Sequence, residues 1–561
     1  MKVLFPTLAR AALFLALVAS PATGRAAEAT PEQVSALARD AERLMDEWRF
    51  SDGRARLAEL KRVAPNAGET LYLEGYEHFL EGDYADAIAK LERSLAAAPH
   101  GPSSVNAREL KGLASEARDA VKDHREQRSG HFIVRAPAVD AVLLPYAIEA
   151  LEASYKALHD DLGFSSDLPV RIEFYRSPSD LAAVSSLSQA EVARTGTIAL
   201  CKWARLMVTS PRALATGYPW LDTINHEFVH YAVSALTRDR APVWLQEGLA
   251  KFLERRWREP AGGRIPPALE TLLAKALRTG KLISFEAMHP SMAKLPTAED
   301  ATLAFAEVAN AVAYLHAQVG MAGVRDALGR VADGADAREA VATAAGVTWP
   351  EFERGWRAFM VAQKYKPFPA IDLPTTHVRK DSAIASQRKP NEEEALTSSA
   401  KSAAGAPFRY LRLGNMFLRR DRPRAAVLEY EKGAKAVATS NGRSAGAPMA
   451  GWLFPVKLGR TYLALGEPDR ALKALGSVQT VFPDLPWPRV IAGAALLAKN
   501  QPADAIVELK AAIASNPFDP EAHCSLADAY TKAQAAGAAA PGAEAIAREQ
   551  KFCKELAGEG P

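Results

Sequence analysis

The spacing of apolar positions divides the chain into helix-period segments at both ends and a mixed middle. From about residue 130, residues 131–135 and 170–175 alternate as short strands, and residues 139–162 between them keep a helical period. Residues 197–200 and 206–209 predict a second pair of strands joined by a turn over 201–205. After Pro211 the spacing is helical to about Gln363. A small sheet followed by a helical half is an α+β arrangement. Residues 366–407 break the pattern: they are rich in Pro, Ser, Ala and Lys, enclose Glu392, Glu393 and Glu394, and predict a linker.

The flanking segments repeat. Gly75, Ala87, Leu91 and Pro99 stand one 34-residue period after Ala41, Gly53, Leu57 and Pro65. Near the C-terminus Gly459, Ala471, Leu475 and Pro483 recur 34 residues later as Gly493, Ala505, Leu509 and Pro517. An earlier unit carries Gly414, Ala426 and Tyr430, followed by a looped insertion over 440–448. A last partial unit carries Leu526, Ala527 and Tyr530, with a closing helix over 543–556. Small residues let paired helices approach, large ones fill the space between hairpins, and each hairpin buries its apolar face only by stacking on the next. These positions resemble the tetratricopeptide repeat family, over roughly 70 N-terminal and 150 C-terminal residues. The resemblance implies a stack that binds peptides or partner proteins in a concave groove. Two N-terminal repeats are few to stand alone, so they are expected to dock on the middle domain.

With 561 residues the chain is too long for one core, and a net charge of +3 offers no basic stripe for nucleic acid. Lys2 and Arg10, the apolar run 11–19, and Gly24 and Ala26 at the −3 and −1 positions form a secretory signal pattern over 1–26. The alternative is an uncleaved anchor, although the run is short for a membrane span, and no later segment is apolar enough to cross a bilayer. The expected location is the periplasm or the exterior of a bacterial cell. Three cysteines make no disulfide framework. Cys524 and Cys553 either pair, if the last helices fold back on each other, or stand as buried or free thiols, the commoner fate of so few. Cys201 reads as a small strand residue.

The chemistry lies where the middle domain turns helical. Residues 219–236 predict a helix with Pro219 in its first turn. His226 and His230 are four apart and share a face, while Leu221, Ile224, Phe228, Ala232 and Ala235 form a stripe on roughly the opposite one. Neutral imidazoles one turn apart can take two corners of a zinc tetrahedron, and Glu227 beside them can take a proton from a water. With 11 histidines such a string arises by chance in roughly one chain in a hundred, so its surroundings matter. A polar turn over 237–242 leads to Trp244-Leu245-Gln246-Glu247-Gly248-Leu249-Ala250. If that helix packs back on the first, Glu247 becomes the third ligand and leaves a position open for catalysis. His131, His289 and His316 have no partners at ligand spacing, and Arg255, Arg256 and Arg258 read as a solvated face.

His-Glu-x-x-His followed by Trp-Leu-x-Glu-Gly-x-Ala resembles the gluzincin metallopeptidases, particularly the peptidase MA-like group, over roughly residues 130–365. The resemblance implies Zn2+ held by His226, His230 and Glu247, with Glu227 as general base. It also implies a strand near 197–200 that pairs with an extended peptide substrate. Two departures stand out. Lys251 occupies the position of an orienting carboxylate, with Glu254 one turn further. Phe305 stands where an oxyanion-stabilising tyrosine is expected, so that donor is unassigned.

The fold expected is therefore a gluzincin-like α+β domain flanked by all-α repeats: signal 1–26, N-terminal repeats 27–128, metallopeptidase domain 129–365, linker 366–407 and C-terminal repeats 408–561. The expected function is that of an exported zinc-dependent metallopeptidase, which hydrolyses peptide bonds of a peptide or protein substrate by metal-activated water. The alternative is a weakly active or inactive metallopeptidase-like scaffold whose repeats hold partner proteins.

Overall fold

The computed structural model describes residues 30–263, 265–289, 291–368, 406–439, 450–537 and 541–558. The signal segment, most of the linker and the insertion at 440–448 lie outside the described residues. Helices α1 (Pro31–Asp46), α2 (Phe50–Val63), α3 (Gly68–Glu81) and α4 (Tyr84–Ala97) form two antiparallel hairpins, and α5 (Ser104–Val121) closes them. The repeat positions meet as the spacing requires. A Cβ on Gly75 would lie 2.7 Å from Leu91 Cγ, and one on Gly493 2.6 Å from Leu509 Cγ, so at both ends glycine lets the partner helix approach.

The sheet has five strands in the order β1-β2-β3-β5-β4: β1 (His124–Arg128), β2 (Phe132–Pro137), β3 (Val170–Tyr175), β4 (Ala199–Lys202) and β5 (Arg205–Thr209). β1 was not expected. Its sequence, HREQR, has no apolar alternation because it is an exposed edge paired only to β2, and it carries the sheet past the predicted boundary at 129. The β4–β5 turn contracts from the expected five residues to Trp203 and Ala204, both at positive φ, as a two-residue hairpin of the primed type requires.

Both sheet faces are covered. One packs Phe132, Val134, Ile172, Phe174 and Val208 against α6 (Leu143–Leu162) and α9 (Trp220–Thr237). The other sets Tyr175 and Met207 against α3, α4 and α5, together with Leu181 of the short helix α7 (Pro178–Ala183). A buried polar knot fastens that second face. Glu173 accepts hydrogen bonds from the hydroxyls of Tyr84 (2.7 Å) and Tyr175 (2.7 Å) and from Arg205 Nη1 (3.1 Å). The N-terminal repeats thus serve as the outer layer of the sheet.

The short helix α8 (Gln189–Thr195) precedes β4. Beyond α9 come α10 (Val243–Leu253), α11 (Pro267–Thr279), α12 (Ala298–Ala332, kinked at Gly320), α13 (Ala337–Ala344) and α14 (Trp349–Ala362). The C-terminal hairpins are α15 (Ala406–Arg419) with α16 (Pro423–Thr439), α17 (Ala450–Ala464) with α18 (Pro468–Val481), α19 (Pro486–Ala498) with α20 (Pro502–Ile513), and α21 (Pro520–Ala535) with α22 (Ala543–Ala557). They divide in two. Val490, Leu509, Phe518, Tyr530 and Phe552 join the core of the middle domain, whereas α15 to α18 share a separate core with the start of α19.

Polar contacts secure the docked half. Trp220 Nε1 donates to Ile513 O at 3.0 Å, and the Tyr218 amide donates to Ser515 O at 3.0 Å. Buried Glu549 accepts from the Tyr146 hydroxyl at 2.6 Å and lies 2.7 Å from His523 Nδ1. Cys524 and Cys553 form a disulfide that ties α21 to α22, so the expectation of unpaired thiols does not hold.

Candidate metal centre

α9 is not amphipathic in the way its stripe predicts. Trp220, Leu221, Ile224, Phe228, Val229, Tyr231, Ala232 and Val233 are buried around most of its circumference. Only the histidine face opens outward, with the His226 and His230 side chains 13% and 17% exposed. The helix runs through the middle of the domain between the sheet and the helical half, which fixes the two imidazoles on a rigid element. Pro219 is its N-cap rather than a first-turn residue.

The turn at Arg238 and Asp239, both at positive φ, sends the chain back so that α10 lies across α9. Glu247 then faces the histidine pair. His226 Nε2 and His230 Nε2 are 3.1 Å apart, and Glu247 Oε2 lies 3.3 and 3.5 Å from them. Ligand distances of about 2.0–2.2 Å give a tetrahedron with edges of about 3.3–3.6 Å, so the triangle is within about 0.2 Å of the size that a zinc ion requires.

Hydrogen bonding fixes what the three atoms present to one another. His226 Nδ1 donates to Glu254 Oε2 at 3.1 Å. His230 Nδ1 donates to Gln246 Oε1 at 3.2 Å, Gln246 Nε2 to Ser234 Oγ at 3.1 Å, and Ser234 Oγ to Asp239 Oδ1 at 2.9 Å. With both Nδ1 protons committed outward, both Nε2 lone pairs point at the same spot. Glu247 Oε2 points there too, buried and without a hydrogen-bond partner. Two lone pairs and a carboxylate oxygen converging at this range repel unless a proton or a metal cation lies between them. The residues present fit a divalent metal.

The electrostatics agree. Burial works against a charged His226, but the Glu247 and Glu254 carboxylates outweigh it and push its pKa up to about 9. Burial likewise works against Glu247 ionisation, yet the two imidazoles hold its carboxyl well below the usual range. The pocket therefore calls for positive charge. Glu227 behaves differently: burial raises its pKa, and the two histidines only partly counter this. The backbone of Cys201 on β4 lies beside it. A carboxylate with raised proton affinity suits a general base.

Cys201 lies on β4, whose other edge is unpaired in the sheet. In the register Cys201↔Leu206 and Lys202↔Arg205, the pair closing the two-residue turn exchanges hydrogen bonds, which leaves the polar groups of Ala199 and Cys201 facing outward beside α9. Cys201 itself is a half-buried strand residue, and burial raises its thiol pKa.

Two sequence readings change. The orienting carboxylate is present as Glu254, the C-cap of α10, where the chain leaves the helix and the side chain turns back to His226; Lys251 pairs with it at 3.0 Å. The arginines after α10 are not a free solvated face. Arg255 and Arg258 reach Asp222 in the first turn of α9 at 3.2 and 2.5 Å, and Arg256 reaches Asp161 at 2.6 Å. Phe305 is half-buried against the core. Tyrosines Tyr218 and Tyr231 are turned elsewhere, their hydroxyls on Thr209 O and Ser166 Oγ. His131 has an ordinary structural role, stacked on Tyr155 and paired with Glu152.

Residues 150–362, between the two sets of helical hairpins, match the family model of the Peptidase MA superfamily. No curated protein matches the chain. Among solved structures, the crystal structure of the P58(IPK) TPR domain aligns over 90% of this chain and 99% of its own. It does so at 13% identity and a TM-score of 0.21, a likeness that carries no argument.

Proposed function

We propose that the protein is an exported zinc-dependent metallopeptidase, with His226, His230 and Glu247 as ligands and Glu227 as general base. The observation that carries this reading is the 3.1–3.5 Å triangle of Nε2, Nε2 and Oε2, its lone pairs left facing inward by hydrogen bonds on the outer side of each ring. The superfamily match over 150–362 supports the same reading.

Zinc, when bound, supplies Lewis acidity toward a scissile carbonyl and an acidified water. The chain's own residues do the rest. Glu254 and Gln246 hold the imidazole planes and tautomers. An extended peptide pairs with the outward groups of Ala199 and Cys201 on β4, a main-chain mode with little sequence preference. That edge sets its carbonyl beside Glu227. The Glu227 carboxylate takes the proton of the attacking water and passes it to the leaving amine. The N-terminal signal pattern supports action in the periplasm or outside the cell.

A second reading, a weakly active or inactive scaffold, is favoured by the tyrosines near α9, whose hydroxyls are committed elsewhere. Elemental analysis and peptide hydrolysis, compared between the purified protein and Glu227→Gln, decide between them. Zinc in both, with hydrolysis only in the first, is expected. Zinc in both with hydrolysis in neither would establish the scaffold, and zinc in neither would sink the metal centre.

A further inference from the structure

The hairpin of α15 and α16 has a charge unlike the rest of the chain. Between residues 406 and 439 stand eight Lys and Arg against three Asp and Glu, a net of +5, whereas the whole chain carries +3. The excess is arginine. Arg412, Arg419, Arg420, Arg422 and Arg424 are exposed, and among the described residues none of their guanidinium groups has an ion-pair or hydrogen-bond partner. Elsewhere exposed arginines either pair, as Arg43 does with Asp40 and Glu47, or stand apart from one another, as Arg39, Arg62 and Arg93 do; here five lie between residues 412 and 424.

The arrangement is local. Arg412, Arg419 and Arg420 fall within about a quarter turn of one face of α15 at 100° per residue. Arg422 and Arg424 follow at the turn into α16, so four arginines crowd the tip of the hairpin. Two large apolar side chains stand open beside them: Leu418, 38% exposed, precedes Arg419, and Leu428, 58% exposed, lies one turn after Arg424. The hairpin packs on α17 at the end of the C-terminal repeats that keeps a core of its own, and these arginines make no contact that holds the domain together.

We propose that the tip of this hairpin is a docking surface for an anionic phospholipid bilayer. Guanidinium groups match phosphate geometry with two parallel donors, and like charges held this close without partners cost energy until an anionic surface screens them. The leucines separate a bilayer from other polyanions. Beside a nucleic acid or an acidic peptide two exposed leucines gain nothing, whereas beneath lipid headgroups they reach the acyl boundary while the arginines stay at phosphate depth.

The test uses residues 27–561, because the apolar run before them would bind lipid by itself. Sedimentation with vesicles of phosphatidylglycerol and phosphatidylcholine should give binding that rises with the anionic fraction and weakens as salt is added. Substituting Arg419→Gln, Arg420→Gln, Arg422→Gln and Arg424→Gln together should weaken it by roughly fivefold per residue, several hundredfold in all. Leu418→Ser with Leu428→Ser should cost roughly tenfold and make the remainder more salt-sensitive. Thermal unfolding of both variants should match the parent, since the replaced side chains are exposed. Equal binding to both lipids, or an arginine variant that binds as the parent does, would overturn the proposal. So would a leucine variant with undiminished binding, or tighter binding to polyglutamate or to nucleic acid than to vesicles.

Discussion

Replacing Gly248 by alanine should leave the protein folded while loosening its metal centre. Gly248 follows the proposed ligand Glu247 on α10 and faces α12. A Cβ built there would lie 2.8 Å from the Val308 carbonyl oxygen and 2.9 Å from Val312 Cγ2. The valine methyl can rotate aside, but the carbonyl belongs to a helix backbone, so α10 must back away by roughly half an ångström to restore ordinary contact. Overpacking of this kind costs about 1–3 kcal/mol, and the better helix propensity of alanine returns about 1 kcal/mol, leaving a net loss of about 0–2 kcal/mol. The metal site tolerates less, because functional constellations need their groups within about 0.5 Å of the working geometry. A Glu247 carboxylate carried off by that distance should weaken zinc binding by about tenfold or more, comparable to loss of an orienting partner. Competition against a chromophoric chelator measures the affinity directly. As a check, the rise in thermal stability on adding a fixed excess of zinc should shrink by about 1.4 kcal/mol for each tenfold loss. A Gly248→Ala protein with the parent's zinc affinity would refute the idea that the approach of α10 to α12 sets the third ligand.

Three further perturbations probe other parts of the structure. Glu254→Gln leaves a weaker acceptor for His226 Nδ1 and strips Lys251 of its partner, so zinc affinity should fall about 10–100-fold with little change in fold, read by the same competition assay. Glu307 is fully buried on α12, and burial, only partly offset by a hydrogen bond from the Ile283 amide, raises its pKa to about 8. A pKa raised above the unfolded value means that the contribution of Glu307 is complete below about pH 4.5 and lost as pH rises through 8. The unfolding free energy of Glu307→Gln relative to the parent should therefore climb by about 1.4 kcal/mol per pH unit between pH 5 and 8, and a flat difference would contradict the assignment. Cys553→Ser opens a link spanning 29 residues, so chemical denaturation should register a loss of about 3–4 kcal/mol if unfolding is two-state.

What the sequence made legible was local. The spacing of His226, Glu227 and His230 sets a common helix face by geometry alone, and Trp244 to Ala250 needed only one reversal of chain direction to bring Glu247 across. The 34-residue period likewise marks a contact made again at each repeat, glycine on one helix and leucine on its partner. The failures share a cause, which is that their partners lie outside any one period. β1 is polar on both faces because it is an exposed edge, so it has no hydrophobic signature. Glu254 orients His226 from a helix cap, where the side chain follows the turn of the backbone and not the 100° step. Arg255 and Arg258 are ordinary surface charges by pattern, and only the close approach of the α10 terminus to the first turn of α9 delivers them to Asp222.

The sequence anticipates the docking of the N-terminal repeats, but not that part of the C-terminal stack is consumed in building the same domain. A repeat's apolar face is satisfied by its neighbour, so a stack of several hairpins carries no sign of docking in its pattern. Here the sheet has only α6 and α9 on one side, and without α3 to α5 it would expose Tyr175, Met207 and the buried Glu173–Arg205 pair to water. At the other end the loop around Ile513 to Ser515 supplies the acceptors for Trp220 and Tyr218, at the entry to the histidine helix. A helix whose entry is hydrogen-bonded by residues nearly 300 positions away cannot be positioned by its own domain alone. The triangle of His226, His230 and Glu247 is thus held in a domain that both sets of repeats help to build. Of the C-terminal hairpins, α15 to α18 keep a core of their own, and the cluster of exposed arginines on α15 and α16 stands there.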